Sequence, residues 1–355
     1  MKIPSLFIPS LVLVVTLIGC CTVPIRQRAT AEKNNLFTEA NPLVQRALKG
    51  EATALAELRA QAEKGDTDAQ NNLANLYATG QVVPKNTSEA LKWFRKASDH
   101  GHDRAQFNLG LAYANGEGVP KDEDEAAKWY RKAADRGVAL AQNNLGVLYA
   151  NGEGVPKDNW EAVKWYRKAA EQGLAMAQSN LGLAYASGRG VLEDDAEAMK
   201  WFRKAAAQNL AEGQLSLGVM YATGQGVTKD SVEAVKWYRK AADQSFDWAQ
   251  FYLGRMYEKG EGIPKDDIEA LKWLRKAGEQ GFDRAQNNLG VRYKNGRGVP
   301  EDYAEAYKWL LLASAQGNEK SKGNIQHLEE GMTDAQRAEG QKRVREFNEK
   351  LQKKP

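Results

Sequence analysis

The sequence predicts an all-α fold: an α/α superhelical solenoid of seven 36-residue helix-turn-helix repeats with helical caps. The main observation is that aromatic residues recur every 36 residues without one insertion or deletion. The tryptophan series is Trp93, Trp129, Trp165, Trp201, Trp237, Trp273 and Trp309. The tyrosine series is Tyr77, Tyr113, Tyr149, Tyr185, Tyr221, Tyr257 and Tyr293. A leucine series with the same step runs from Leu73 to Leu289.

Apolar residues inside one repeat follow helical spacing. Ala141, Leu145 and Tyr149 lie at i, i+4 and i+8, which puts them on one helix face. After a break at "GEGVPKD", a second apolar stripe includes Trp165, and Gly173 ends that helix. Two helices cannot bury their apolar faces alone, so neighbouring repeats must stack. We therefore expect the repeat tryptophans and tyrosines to form the core.

The paired glycines of the turn, Gly152 and Gly154 in the third repeat, could indicate a phosphate-binding loop. Such a loop precedes a helix and usually follows a strand. Here the pair follows a helix and recurs in six repeats, so the sequence favours a helix–helix turn that needs positive φ.

The period divides the chain into segments. The seven repeats are 66–101, 102–137, 138–173, 174–209, 210–245, 246–281 and 282–317. Residues 51–65 are predicted to form an N-terminal capping helix and 318–355 the C-terminal capping helices, with Thr333 as a helix N-cap. Residues 20–50 are interpreted as a tether with a short helix after Pro42.

The first 19 residues are interpreted as a lipoprotein signal peptide. One lysine precedes a 16-residue apolar run that is shorter than the roughly 20 residues of a membrane-spanning helix. The run ends in Leu17-Ile18-Gly19-Cys20, which resembles the lipobox of bacterial lipoproteins. That resemblance implies that Cys20 carries the lipid, and the lack of aspartate after it implies the outer rather than the inner membrane. A conventional signal peptide or an uncleaved anchor is the alternative.

Composition argues against several kinds of site. Lys and Arg number 50 against 46 Asp and Glu, which is no signature of nucleic-acid binding. Only three histidines and two cysteines are present, so we expect no metal, no cofactor and no catalytic centre. His100 and His102 are interpreted as turn residues, and "KDEDEAAK" at 121–128 as a capped helix start rather than a calcium loop.

The full repeat, exemplified by "AQNNLGVLYANGEGVPKD" followed by "NWEAVKWYRKAAEQG", resembles the Sel1-like repeat, a relative of the tetratricopeptide repeat. The resemblance covers about 250 residues and implies an α/α superhelix. Some members carry a disulfide in each repeat, and this chain has no cysteine in its repeats.

Function is expected where the repeats differ on a groove surface, which the tetratricopeptide analogy places on the first helices. In the sixth repeat Trp248, Phe251, Tyr252 and Arg255 share one helix face, and Arg284 lies one repeat further on. Phe107 and Asn143 belong to the same positional series as Phe251. Two interpretations stay open: a partner-contact site, or filling of a gap between repeats.

Asparagine recurs at positions 72, 108, 144, 180 and 288 although it is a poor mid-helix residue. Either it forms a hydrogen bond to the turn of the neighbouring repeat or it clamps the backbone of an extended peptide. Asn209 and Ser245 replace the helix-ending glycine in the fourth and fifth repeats.

These features predict a lipid-anchored, periplasm-facing scaffold or adaptor that binds a protein or peptide in the solenoid groove. It would contact the membrane through its anchor only and bind neither nucleic acid nor a small-molecule cofactor. The alternative is a cell-envelope enzyme acting on peptidoglycan or β-lactam-type substrates, which the resemblance implies for some members.

Overall fold

The computed structural model describes residues 41–353, which contain 18 helices and no strand. The predicted signal peptide, Cys20 and the first part of the tether lie outside the described residues. In order, the helices are α1 (Pro42–Leu48), α2 (Ala52–Glu63), α3 (Thr67–Thr79), α4 (Thr87–Asp99), α5 (Asp103–Asn115), α6 (Glu123–Asp135), α7 (Ala139–Asn151), α8 (Asn159–Glu171), α9 (Ala175–Ser187), α10 (Asp195–Ala207), α11 (Ala211–Thr223), α12 (Ser231–Asp243), α13 (Asp247–Lys259), α14 (Asp267–Glu279), α15 (Asp283–Lys294), α16 (Tyr303–Ala315), α17 (Glu319–Glu329) and α18 (Asp334–Gln352).

The described chain divides into two compact units, and the boundary falls between Trp201 and Phe202 in the sequence. In the first unit each helix from α1 to α9 packs against its neighbours in the chain, and the same holds from α11 to α17 in the second. The helix pairs from α3–α4 to α15–α16 are the seven repeats, so the predicted all-α repeat fold is confirmed.

The turn inside each repeat depends on two glycines with different functions. The first, such as Gly152 with φ 80°, adopts the left-handed conformation that ends the first helix. The second approaches the backbone of the preceding repeat: a Cβ on Gly154 would lie 2.0 Å from the carbonyl oxygen of Glu123. Gly190 stands equally close to the carbonyl of Asn159. The pair is therefore a structural corner that also packs one repeat on the next.

The second helix of each repeat begins at an acidic or amide cap. Asp122 accepts a hydrogen bond from the backbone N–H of Glu125 at 2.9 Å, and Asp158 accepts from those of Trp160 and Glu161. These side chains satisfy N–H groups that the helix leaves free. The capped-helix interpretation of the acidic stretch at 121–128 is confirmed.

The first helices form the buried layer of each unit. In α5 every residue from Ala105 to Ala112 is buried, and in α13 the same is true from Trp248 to Gly254. The second helices, by contrast, expose one side to solvent. The accessible surface of each unit therefore belongs mainly to second helices and turns, which corrects the expectation that the first helices present an open groove.

Most of the repeat tryptophans lie in the core, as expected, but not all of them. Five are buried, whereas Trp129 and Trp237 are half-buried. Lysine ammonium groups cover these two rings, with Lys132 3.9 Å and Lys240 4.0 Å from the ring centroids. Each lysine side chain shields the exposed part of its tryptophan ring from water, so the ring need not be fully enclosed by core residues.

The repeat tyrosines link one repeat to the next. Each hydroxyl accepts a hydrogen bond from the arginine 18 residues earlier, on the second helix of the preceding repeat or on α2. The donors are Arg59, Arg95, Arg131, Arg167, Arg203, Arg239 and Arg275. Tyr185, Tyr257 and Tyr293 are buried, and the other four are half-buried because their hydroxyls reach the surface.

Helices outside the repeats cover the two ends of the array. At the N-terminal end, Val44 of α1 and Leu58 of α2 are buried against the first repeat, so folded structure begins within the segment interpreted as a tether. At the other end Phe347 of α18 meets Trp309 edge-on at 5.5 Å. Leu351, near the end of α18, is 41% exposed. No helix among the described residues is long and apolar enough to span a membrane.

Candidate partner-binding surfaces

The aromatic cluster predicted to contact a partner lies inside the protein. Trp248 is 5% exposed, and Phe251 and Tyr252 are similarly buried. Phe282, the residue before α15, fills the space between them, with ring centroids 4.8 Å from Trp248 and 5.3 Å from Phe251. The expectation that these three aromatic residues line an open surface is corrected. Trp248 and Phe251 pack the joint between the sixth and seventh repeats, and Tyr252 stacks on Tyr238 of the fifth repeat, with ring centroids 5.4 Å apart.

The two arginines of that cluster lie at its edge. The Arg284 guanidinium stands 5.1 Å from the Trp248 ring centroid, and Arg255 pairs with Glu258 at 3.2 Å. Burial raises the pKa of the Tyr252 hydroxyl to about 12, as expected for a phenol enclosed by rings. Partner contact by Arg255 and Arg284 stays a prediction.

Asn143 and Phe107 are buried as well. The repeated asparagines donate hydrogen bonds to asparagines of the preceding repeat, at the position of Asn143. Asn180 donates from Nδ2 to Oδ1 of Asn143 at 2.9 Å, and Asn108 donates likewise to Asn71 at 3.4 Å. The same bond joins α17 to α15, from Asn324 to Asn287 at 2.8 Å. These contacts favour a hydrogen bond between repeats over a peptide clamp. The partner is a residue of the adjacent first helix, which corrects the expectation that it lies in a turn.

Hydrogen bonds of a repeated glutamine also join the repeats, and the sequence analysis did not predict them. The buried Gln142 donates to the free carbonyl of Ala134 at the end of the preceding helix, at 3.0 Å. Gln172, at the end of the second helix of the same repeat, donates to Oε1 of Gln142 at 2.7 Å. Glutamine at every copy of the Gln142 position was the available signal. It shows that a polar residue repeated in phase with the core can serve the joint.

A buried charged group in the second unit was also missed. Arg292 is 2% exposed and pairs with Asp267 at 2.7 Å and Glu258 at 3.3 Å. Its counterparts in the other repeats are leucine, alanine or methionine. The sequence contained two signals of this ion pair. Arg292 is the one charged residue of an apolar series, and Glu258 stands where five repeats have alanine.

Large apolar side chains are exposed where the turns meet the first turn of the second helices, an edge here called the turn edge. In the first unit Trp160 is 63% and Leu192 is 89% exposed. The turn that contains Leu192 packs on the start of α8, because Gly190 lies against the carbonyl of Asn159. The second unit shows Val232 and Ile268 at the same register as Trp160, both more than half exposed.

A groove between the second and third repeats lies on the second-helix side. Its volume is about 630 Å³, and its walls hold four cations, three carboxylates, two aromatic rings and one proline. The lining residues are Arg131, Asp135, Tyr149, Pro156, Lys157, Asp158, Glu161, Lys164, Trp165 and Lys168. Two of the carboxylates are engaged, since Asp158 caps α8 and Glu161 pairs with Lys164 at 2.9 Å.

The histidines do not come together as a metal site. His102 accepts from the backbone N–H of Ala105 through Nδ1 and meets Asp68 through Nε2, whereas His100 contacts the carbonyl of Lys96. His102 is therefore a helix cap, half-buried rather than exposed. Among residues 41–353 there is no group of three His, Cys, Asp or Glu that could hold a metal ion.

The sequence and the fold match known proteins. The Sel1 repeat family model matches residues 67–102, 103–138, 139–174, 175–210, 211–246, 249–282 and 283–318. A Sel1 repeat protein from Oxalobacter formigenes is 32% identical, with a TM-score of 0.64 over 92% of this chain and 97% of its own. The antigen c5321 of uropathogenic Escherichia coli, described as displaying an SLR fold, is 28% identical with a TM-score of 0.40, over 83% and 94% of the two chains. No curated protein matches the chain.

Family membership rests on the number of matched repeats and on the agreement of both helices and turns within each. The matched residues cover well over half of the chain. Proteins with this repeat fold are generally non-enzymatic protein–protein interaction scaffolds. The chain belongs to the Sel1 repeat family.

Proposed function

We propose that this protein is a lipid-anchored scaffold of the bacterial cell envelope that binds a protein partner through the turn edge of its repeats. The observation that carries the proposal is the exposure of Trp160 and Leu192 on two adjacent repeats, whose backbones pack together at Gly190 and Asn159. Large apolar patches on a soluble domain mark interaction sites, and tryptophan is enriched among the residues that dominate binding energy.

The buried first helices support this choice of surface. A peptide in a groove lined by them would have to displace the asparagine and glutamine bonds that join the repeats, such as the 2.9 Å bond from Asn180 to Asn143. The turn edge requires no such rearrangement, because the Trp160 side chain is already 63% exposed, with the Lys164 ammonium 5.4 Å from its ring centroid. A rigid scaffold with a preformed surface loses little entropy when it binds.

The anchor and the location belong to the same proposal. The lipobox-like sequence before Cys20 supports lipidation of that cysteine, and the residue after it supports the outer membrane. Two or more acyl chains would hold the protein at the membrane. Replacing Cys20 by serine should abolish palmitate labelling and leave the protein unprocessed or free of the membrane; unchanged labelling would contradict the anchor.

Chemical crosslinking in intact envelopes tests the binding proposal. The wild-type protein should give a specific protein adduct, and the double variant Trp160→Ser with Leu192→Ser should lose it while keeping its melting temperature. Glu171→Ser, at the exposed far end of α8, is the matched control and should keep the adduct. An adduct that survives in the double variant would overturn the turn edge as the binding surface. Turnover of a peptidoglycan or β-lactam substrate, abolished by one side-chain change, would instead favour the enzyme.

A further inference from the structure

The cations of the second helices fall into two classes. The lysine three residues after the first-turn glutamate is neutralised in every repeat, as in Lys236 with Glu233 at 2.9 Å. The arginine and lysine that follow have no such partner in the fifth repeat. Arg239 and Lys240 contact Tyr257 and Trp237 and have no carboxylate within 4.0 Å. The second helix of this repeat thus carries positive charge held against aromatic rings.

One repeat junction concentrates this charge. The groove of the second and third repeats contains one carboxylate that is neither a cap nor paired, Asp135. At the junction of the fourth and fifth repeats, 72 residues later, the same register holds Ala207. The cations are kept: Arg131, Lys157 and Lys168 correspond to Arg203, Lys229 and Lys240.

Two of these three side chains contact aromatic residues of the second unit, and the third lies in a turn. Arg203 donates to the Tyr221 hydroxyl at 3.4 Å, and Lys240 lies 4.0 Å from the Trp237 ring centroid. Lys229 packs its Cβ on the turn glycine Gly224 and has no acidic partner among the described residues. A cation fixed on a ring loses less side-chain freedom when it binds an anion than a free lysine does.

We propose that Arg203, Lys229 and Lys240 form a binding site for the carboxylates of an acidic segment of the partner protein. Carboxylates form charge-assisted hydrogen bonds with guanidinium and ammonium groups. Asp230 and Glu233 flank the site, the first as the cap of α12 and the second paired with Lys236. Their charges disfavour a densely charged polyphosphate and suit spaced carboxylates on a peptide. This assignment rests on the proposed scaffold function and names the chemistry of its partner.

A hexaglutamate peptide is the probe, titrated by calorimetry at low salt with hexaglutamine as the blank. The double variant Lys229→Gln with Lys240→Gln should weaken binding about three- to thirtyfold, because each exposed ion pair contributes up to a fewfold. Lys229→Arg with Lys240→Arg should retain binding. Lys320→Gln with Lys350→Gln removes the same charge from exposed positions elsewhere and should leave the affinity within about twofold.

The natural difference between the two junctions supplies a second test. Ala207→Asp should weaken hexaglutamate binding, and Asp135→Ala should add a second site. Equal affinities for wild-type protein and the Lys229→Gln, Lys240→Gln variant would overturn the site. Tripolyphosphate binding more than about tenfold tighter than hexaglutamate would overturn the carboxylate assignment. If hexaglutamate binds through these lysines but no envelope protein crosslinks, the site stands and the scaffold function fails.

Discussion

Helix α7 of the third repeat and helix α13 of the sixth hold the same place in the repeat and solve the same packing problem differently. In α7 the position of Trp248 is Leu140 and that of Phe251 is Asn143. Asn143 joins its repeat to the next through a 2.9 Å hydrogen bond from the side-chain amide of Asn180. Trp248 and Phe251 join theirs to the next by packing on the ring of Phe282. A joint between repeats can therefore be polar or aromatic on one backbone.

A residue that differs from its counterparts in the other repeats has different consequences on a buried helix and on an exposed edge. A departure on the buried first helix changes the chemistry of a joint, as Trp248 and Arg292 do. A departure on the exposed edge, such as Trp160 in a series that also contains serine, aspartate and alanine, has no joint to fill. Only the second kind indicates a binding site.

The largest expected effect separates buried from exposed tryptophan. Trp248→Ala should lower the free energy of unfolding by about 3–5 kcal/mol, the usual cost of deleting a large buried aromatic side chain. Trp165→Ala should do the same, whereas Trp160→Ala should change it by less than about 0.5 kcal/mol. Denaturant titration measures all three. A Trp248→Ala variant as stable as Trp160→Ala would restore the interpretation of the cluster as an open site.

The charged joint of the sixth and seventh repeats gives the next effect. Asp267→Ala should destabilise the protein by about 2–4 kcal/mol, since it leaves the Arg292 guanidinium buried with one partner. Adding Arg292→Met, which restores the apolar residue of other repeats, should recover most of that loss. Equal stabilities for the single and double variants, measured by chemical denaturation, would show that the ion pair contributes nothing to this joint.

Two residues other than glycine adopt positive φ at the end of a second helix, Asn209 and Ser245. Ser245, with φ 64°, stands where the second repeat has Gly137, and Ser245→Gly should stabilise the protein by about 0.5–1 kcal/mol. Asn209, with φ 62°, differs because its side chain accepts from Gln214 at 2.9 Å. Asn209→Gly should therefore bring no gain. Thermal melts of both variants decide it, and a stabilisation shared by both would contradict a function for the asparagine side chain.

The smallest effect depends on pH and concerns Asp247, which takes the place of Ala139. Burial raises the pKa of this carboxyl above its ordinary value of 3.8. The neutral form is therefore favoured in the folded state, and stability falls as pH rises through the raised folded pKa. Asp247→Asn keeps the acceptor for the Trp248 N–H and should melt higher than wild type at pH 7. The difference should vanish at pH 3; one of equal size at both pH values would contradict the ionisation argument.

The period of 36 residues sufficed to predict the helix pairs, their turns and the aromatic core, because each repeat must bury the same face. It did not reveal which face stays accessible. Trp248 and Trp160 are both single aromatic residues in mixed series, and their spacing does not show that Phe282 covers the first and nothing covers the second. Burial of the first helices follows from packing between repeats, which no single repeat encodes.

In the proposed function, Trp160 and Leu192 at the turn edge bind the partner protein. A photo-crosslinking amino acid placed at Trp160 or Leu192 tests it in the intact envelope, with Glu171 as the control on the same helix. Glu171 is exposed and lies 11 residues from Trp160, about 16 Å along α8. We predict one protein adduct shared by positions 160 and 192 and absent at 171. An adduct at Glu171 with none at 160 and 192 would contradict the claim.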